Sequence, residues 1–400
     1  MTADLRTGKL LEEVPLGGVS FSKRLNDAGT LTGAFEYDLR LASLLKPTTL
    51  PGRTALYAFR DHQAVWGGII WQRTIDHETS TCSLQCADFW TYFDHRRLLG
   101  ALTFNGLDQN AIARALVADA QAATGGSIGV TLPENASGVA LDRDYKPWNY
   151  PTYASLLQDL SALEDGPDIR FDVTGTDPDV TRQLLVGTPR LGRSLDLSGI
   201  ILDYGVEGAA LNRLTEVEDG SVTETTHIAL GPGSEASQFV GTASRADLIA
   251  AGWPLLEGLT SRSDESIGQN TIDAYAAADL AAAGGLKVTL TGTSTKLEVG
   301  TFEPGDEARI DIDAPWYNTN PAAGEVTVIP GTTGGGAYGE GAYGEGPYGG
   351  SSSTPAVEVT TPADQKSSTV SRITAFTVSL PDDGSSESVS FEFGQLLRSA

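Results

Sequence analysis

Three of the four histidines in this 400-residue chain follow an aspartate: Asp61-His62, Asp76-His77 and Asp94-His95. An Asp–His pair is the orienting half of a nucleophilic triad, and clustered histidines and aspartates bind zinc. Strand spacing argues against both. His62 and His77 flank one extended stretch, which holds them tens of ångströms apart. They read as polar turn residues, while His227 stands alone in a strand. "FDVTGTDPDV" supplies Asp172, Asp177 and Asp179 but lacks the Asp-x-Asp-x-Asp-Gly spacing and closing Glu of a calcium loop. "GPGSE" at Gly231 has the look of a phosphate cradle with no Gly-Lys-Ser/Thr behind it, and there is no Gly-x-Ser-x-Gly elbow. No catalytic residue, cofactor-binding residue or metal ligand is assigned, and the chain reads as a non-enzyme that needs no cofactor.

Two aromatic features carry more. Trp66 and Trp71 bracket Gly67-Gly68 in "ALYAFRDHQAVWGGIIWQRTI". A tryptophan-lined glycine pocket suits a sugar; a glycine pair inside a strand marks a bulge, a bend or a close backbone approach. Val65, Ile69 and Trp71 share one strand parity, and Trp66 and Ile70 share the other, so both faces should be covered. The expectation is a barrel bend at Gly67 and Gly68, packed by Trp66 and Trp71. The second feature is "GAYGEGAYGEGPYGG", which spaces Tyr338, Tyr343 and Tyr348 evenly. Either these tyrosines punctuate a flexible loop or they are partner contacts.

The elements around these residues are mostly strands. Gly (46) and Pro (19) are plentiful, and hydrophobic residues make up 40 % of the chain. Strands are expected over Gly18–Leu25, Leu31–Leu39, Thr54–Arg60, Val65–Ile75 and Thr81–Phe89, with Arg60–Gln63 as a hairpin turn. In Thr81–Phe89 the alternation puts Cys82, Leu84 and Cys86 on one face. Strand geometry sets the two cysteines too far apart for a disulfide, so they read as small buried hydrophobes. Asp108 and Thr152 each look like the cap of a helix, and Tyr153, Leu156, Leu157, Leu160 and Leu163 form one stripe. Leu211–Val217 and Ser221–Leu230 read as a hairpin over Glu218-Asp219-Gly220. Ser244 reads as the cap of a short helix, Asn270–Gly285 as a long one, and Val370–Ser379 with Glu387–Phe393 as a closing hairpin. The formal net charge of −25 argues against specific nucleic-acid binding. No segment has the apolar length of a membrane span, and the N-terminus lacks a signal-peptide pattern.

Four stretches in order resemble the minor tail proteins of long-tailed actinobacterial phages, of the baseplate-hub type. They are "GRTALYAFRDHQAVWGGIIWQRTID" with "CADFWTYFDHRRL", then "NRLTEVEDGSVTETTHIALGPGSE", then "WPLLEGLTSRSDESIGQNTIDAYAAADLAA", and last "FEPGDEARIDI" with "RITAFTVSLPDDGSSESVSFEF". The resemblance implies a mainly β fold with helical insertions, built as two β-barrel-like hub domains plus an insertion domain and a C-terminal hairpin. In that reading residues 1–100 form the first hub domain, completed by 201–231, and 101–200 are inserted into it. Residues 232–330 form the second, with an Ala-rich helix at 270–283; 331–369 are a Gly/Tyr/Ser-rich loop, and 370–400 close the chain. The implied role is a homotrimeric ring at the tail tip, assembled in the host cytoplasm. Its implied partners are the distal tail protein, the tape-measure protein and other minor tail proteins. The alternative is a receptor- or glycan-binding tail module that touches the host cell surface. Many relatives continue into a wall-degrading domain; the chain stops at Ala400, so no enzyme is expected.

Overall fold

Short β-branched and aromatic runs, separated by Asp, Asn, His and Gly, make the first part of the chain a set of antiparallel strands that are not neighbours in simple chain order. It comprises β1 (Thr2–Asp4), β2 (Gly17–Arg24), β3 (Thr30–Glu36), α1 (Leu39–Thr48), β4 (Thr54–Arg60), β5 (Gln63–Asp76), β6 (Thr81–Asp88) and α2 (Trp90–Asp94). The computed structural model describes residues 1–163, 166–188, 190–233, 237–261, 269–314, 316, 327–329, 357–359, 367–381, 386–394 and 396–398. Arg60 pairs with Gln63 across a two-residue turn, as expected. Asp61 (φ 48°) and His62 (φ 64°) are both left-handed, the pattern of a tight hairpin turn whose twist matches its strands. The strand expected over Leu31–Leu39 ends earlier. The Asp38 carboxylate accepts from the Leu41 amide and starts α1 there.

The middle of the chain supplies β7 (Leu102–Asp108), α3 (Gln109–Ala122), β8 (Val130–Thr131), β9 (Ala140–Tyr145), α4 (Tyr153–Ser161), β10 (Ile169–Thr176), β11 (Asp179–Val186), α5 (Leu195–Ser198) and β12 (Ile200–Tyr204). Both expected caps are present. The Asp108 carboxylate accepts from the Asn110 amide, and the Thr152 hydroxyl accepts from the Ser155 amide. The α4 stripe buries Tyr153, Leu156, Leu157 and Leu160.

The remainder holds β13 (Arg213–Asp219), β14 (Thr226–Leu230), β15 (Val240–Ser244), α6 (Ala246–Ala250), β16 (Glu257–Ser261), α7 (Gln269–Ala283), β17 (Leu286–Ser294), β18 (Glu307–Ile312), β19 (Thr327–Ile329), β20 (Val357–Val359), β21 (Ser367–Leu380), β22 (Ser388–Phe393) and β23 (Leu396–Arg398). Two local expectations are corrected here. The hairpin over Glu218-Asp219-Gly220 does not form: β13 pairs with β17, Asp219 opposite Lys287, and β14 is the centre of a separate sheet. A distant partner strand outcompetes the local turn, and residues 220–285 emerge as an inserted unit at the end of the β13–β17 ladder. Ser244 is the last residue of β15, and Arg245 takes the cap position of α6 without a side-chain cap bond.

The described residues are mainly β, 44 % strand and 19 % helix. Sixteen strands join in one sheet whose main path is β13-β17-β22-β21-β2-β3-β6-β5-β10-β11-β8. Among the described residues this path stays open, and no run of pairings closes into a ring. The C-terminal pair β21–β22 docks on the N-terminal strand β2, with Val19 opposite Leu380. Two large cores result. One packs α2, α3 and α4 against β1, β4, β5, β10 and β11 around Phe89, Trp90, Phe93, Leu116, Leu157 and Phe171. The other lies among β2, β3, β6, β17, β18, β21 and β22 around Phe21, Phe302, Phe376 and Phe391. Strands β4 and β5 serve both. Tyr57 and Ile69 face the first core; Leu56, Trp66 and Ile70 face the second. Both faces of β5 are covered, as expected, but Val65, expected on the face of Ile69 and Trp71, packs with the second core because the register against β4 shifts there.

Candidate functional site at a shared wall and a charged seam

The Trp-Gly-Gly stretch lies at the centre of this shared wall. Trp66 is 1 % exposed, and its indole N–H donates to the Ser22 carbonyl at 3.1 Å. Each glycine admits a close approach. A Cβ on Gly67 would lie 2.5 Å from Val173 Cγ1, and one on Gly68 would lie 2.3 Å from the Ala87 carbonyl oxygen. Register shifts flank the pair. Val65 is the extra residue against β4, and Trp71 is the extra residue against β6. Trp71 is half-buried, donates to Thr91 Oγ1 at 2.7 Å and lies tilted over His95 with ring centroids 4.5 Å apart. Trp66 therefore faces no solvent, and Trp71 is engaged by its own chain. Tyr338, Tyr343 and Tyr348 lie outside the described residues.

The aspartate–histidine pairs are separate turn and cap residues. His62 sits in the β4–β5 turn, His77 follows β5 near the Tyr37 hydroxyl, and His95 ends α2. Asp172 and Asp179 fall on opposite strands of the β10–β11 hairpin. Among the described residues no group of three or more His, Cys, Asp and Glu side chains is arranged to hold a metal ion. Cys82 and Cys86 are free thiols, each 4 % exposed, and burial pushes the Cys86 thiol up to about 12.

What the chain does concentrate is buried charge. Lys23 on β2 meets Asp172 on β10 at 3.2 Å and Glu303 at 3.2 Å. Arg170 meets the same two carboxylates at 2.8 and 3.1 Å and donates to the Pro304 carbonyl. Lys23 and Arg170 are 9 % and 7 % exposed. Burial pushes the Asp172 carboxyl up, but Lys23, Arg170 and the Val173 amide together hold it below the usual carboxylate range. Arg372 on β21 reaches Asp168 at 2.5 Å, and Arg193 reaches Asp306 at 2.5 Å. The Glu303–Asp306 turn comes close enough to Leu191-Gly192 that a Cβ on Gly305 would lie 2.5 Å from the Leu191 carbonyl oxygen. This seam ties β2, β10, β21, the turn before β18 and the segment before α5 into one body. Paired buried charge of this kind adds little net stability but strongly penalises separation of its partners.

Asp88 closes the wall at the end of β6. Its two carboxylate oxygens accept from the Gly29 amide at 2.7 Å and the Trp90 amide at 2.9 Å. Burial still raises its carboxyl to about 8, helped by the nearby Asp172 and Asp27.

No protein-family model and no curated protein matches the sequence. Solved structures do match the fold. A tail protein from Neisseria meningitidis MC58 aligns over 98 % of this chain and 95 % of its own, at 12 % identity and a TM-score of 0.54. A 43 kDa tail protein of prophage MuSo2 from Shewanella oneidensis aligns over 95 % and 94 %, at 8 % identity and a TM-score of 0.56. The chain has the fold of these tail proteins.

Within this tail-protein fold one cluster escaped the sequence. His227, read as solitary, is 3 % exposed. Its Nδ1 contacts Glu224 Oε2 at 2.5 Å; its Nε2 lies 3.0 Å from Thr260 Oγ1 and 3.4 Å from Asp279 Oδ2. Thr260 in turn donates to Asp279 at 2.8 Å. The Glu224–His227 spacing was visible in the chain, but Thr260 and Asp279 come from β16 and α7. Gly258 makes the room: a Cβ there would fall 2.0 Å from the Glu224 carboxylate. The seam gave no local signal either, because its partners are joined across most of the chain.

Proposed function

We propose that this chain is a structural, non-enzymatic component of a phage tail: the baseplate hub of a long-tailed actinobacterial phage. In this reading three copies form a ring at the tail tip. The ring joins the tail tube and distal tail protein to the host-contacting parts, with the tape-measure protein and other minor tail proteins as further neighbours. The observation that carries the reading is the fold likeness to two tail proteins, one of them from a prophage, along nearly the whole length of each. The wall and seam support it, since a ring that transmits load needs units that do not separate. A division into two hub units, with residues 101–200 inserted into the first, belongs to the same proposal.

Light scattering on the purified chain, alone and mixed with the distal tail protein, tests the ring. A species of three times 42.0 kDa is expected in at least the mixture. A chain that stays monomeric in both would refute it.

A second reading rests on one loop. Trp148 and Tyr150 are 73 % and 60 % exposed, and Asn149 and Tyr150 hold left-handed backbone angles of 62° and 50°. Strained, solvent-facing aromatics suit recognition of a host glycan. Pull-down on host cell wall with wild type and Trp148→Ala separates this from the hub role. Wall binding that the substitution abolishes would favour the receptor module.

A further inference from the structure

A cavity of about 200 Å³ lies between α1 and β3, β5 and β6, at the edge of the second core. Its floor is apolar: Phe35, Leu45 and Cys82 are 6 %, 1 % and 4 % exposed. Ala42 and Ile75 form its walls, and Ile75 is 41 % exposed. Two cations, Lys46 and Arg73, line the cavity together with His77, and no carboxylate does. In a chain of net charge −25, a lining with cations and no acids runs against the average of the surface.

Arg73 is held in place. Its Nη1 donates to the Lys46 carbonyl at 2.9 Å, the Thr49 carbonyl at 3.3 Å and Thr49 Oγ1 at 2.8 Å. These are acceptors at the C-terminal end of α1, so the guanidinium both satisfies the helix end and stands fixed at the cavity mouth. A pre-positioned guanidinium beside a flexible ammonium is suited to a carboxylate. Drug-sized ligands need cavities of roughly 300–1,000 Å³, so this one takes a smaller group.

We propose that this cavity binds a short apolar group carrying a carboxylate, the apolar part on Phe35, Leu45 and Ile75 and the carboxylate between Lys46 and Arg73. The site stands independently of the tail-hub reading. Two sources present this chemistry: a free medium-chain fatty acid, or an apolar side chain next to a carboxylate on a partner protein.

The test uses three probes of one length on the full chain: octanoate, octanol and octylammonium, titrated by calorimetry. Octanoate is expected to saturate a single site, octanol to bind more weakly and octylammonium not to bind. Ala42→Phe fills the cavity and should abolish octanoate binding. Lys46→Glu, on the exposed side of α1, should weaken octanoate by about tenfold, roughly the loss of one charge-assisted contact. It should also admit octylammonium. Unchanged melting temperatures would show that both variants fold. Equal binding of octanoate and octylammonium, or octanoate binding untouched by either substitution, would overturn the site. If octanoate binds as expected, mass spectrometry of an organic extract of the purified protein and a peptide competition assign the source. A co-purified fatty acid identifies a free ligand; competition of octanoate by an apolar peptide with a C-terminal carboxylate identifies a carboxylate presented by another chain.

Discussion

The shared wall and the inserted unit at residues 220–285 are held by different physics. Around the wall, the two large cores bury side chains as big as Trp66, Trp90, Phe89 and Phe376. In the inserted unit the three-stranded sheet β15-β14-β16 packs on α7 around a small cluster, Ala229, Ile272 and Ala276 with Ala243 and Tyr275 against them, and Leu248 and Leu280 are buried besides. So small an apolar core leaves the Glu224–His227–Thr260–Asp279 cluster a large share of the work of seating the helix. The wall should therefore unfold only with the whole protein, whereas the inserted unit should open by itself.

The largest blow to this contrast is Trp66→Ala. It removes a fully buried indole and its hydrogen bond to the Ser22 carbonyl, and should cost about 3–5 kcal/mol of global stability in denaturant unfolding. A loss below 1 kcal/mol would mean that the wall is not a single packed body. Next in size is Lys23→Met. It leaves Asp172 and Glu303 with Arg170 as their remaining cation in the seam, and should cost about 3 kcal/mol, again globally. Destabilisation confined to one core would show that the seam does not couple the two.

His227→Ala should act on the other side of the comparison. Amide exchange is expected to accelerate in β14–β16 and α7 by the equivalent of about 1–3 kcal/mol, with the wall unchanged. Faster exchange throughout the chain would erase the distinction. The smallest effect is a pH slope. The Asp88 carboxyl lies at about 8 in the folded chain against an ordinary value of 3.8, so the folded state holds a proton that the unfolded state releases. Its contribution is complete below about pH 4 and lost as pH rises through about 8. Melting temperature should therefore fall between pH 5 and 9 in wild type. Asp88→Asn should start lower, with one amide left facing another donor, and lack that part of the slope. Parallel slopes would show that Asp88 is ionised throughout.

The comparison also explains what the sequence made legible. Local rules worked where partners are close in the chain. The alternation of Cys82, Leu84 and Cys86, the caps Asp108 and Thr152, the turn at Asp61-His62 and the two apolar faces of β5 were all readable. Local rules failed where the partner is remote. The Glu218-Asp219-Gly220 turn was overruled by β17, and nothing near His227 announced Asp279. Helix α1 was missed because Asp38 cuts short an apolar run that reads equally well as strand. The charged seam was invisible for the same reason that it matters: Lys23 and Glu303 are 280 positions apart, joined only by the fold.

The proposed role is that of a hub at the tip of a phage tail. Gold-labelled antibody against this chain, applied to purified virions of the phage that encodes it and viewed by electron microscopy, tests that most directly. Label confined to the end of the tail distal to the capsid, with three copies per particle by quantitative mass spectrometry, is the predicted result. Label along the tube or on the capsid, or virions that lack the chain, would contradict it.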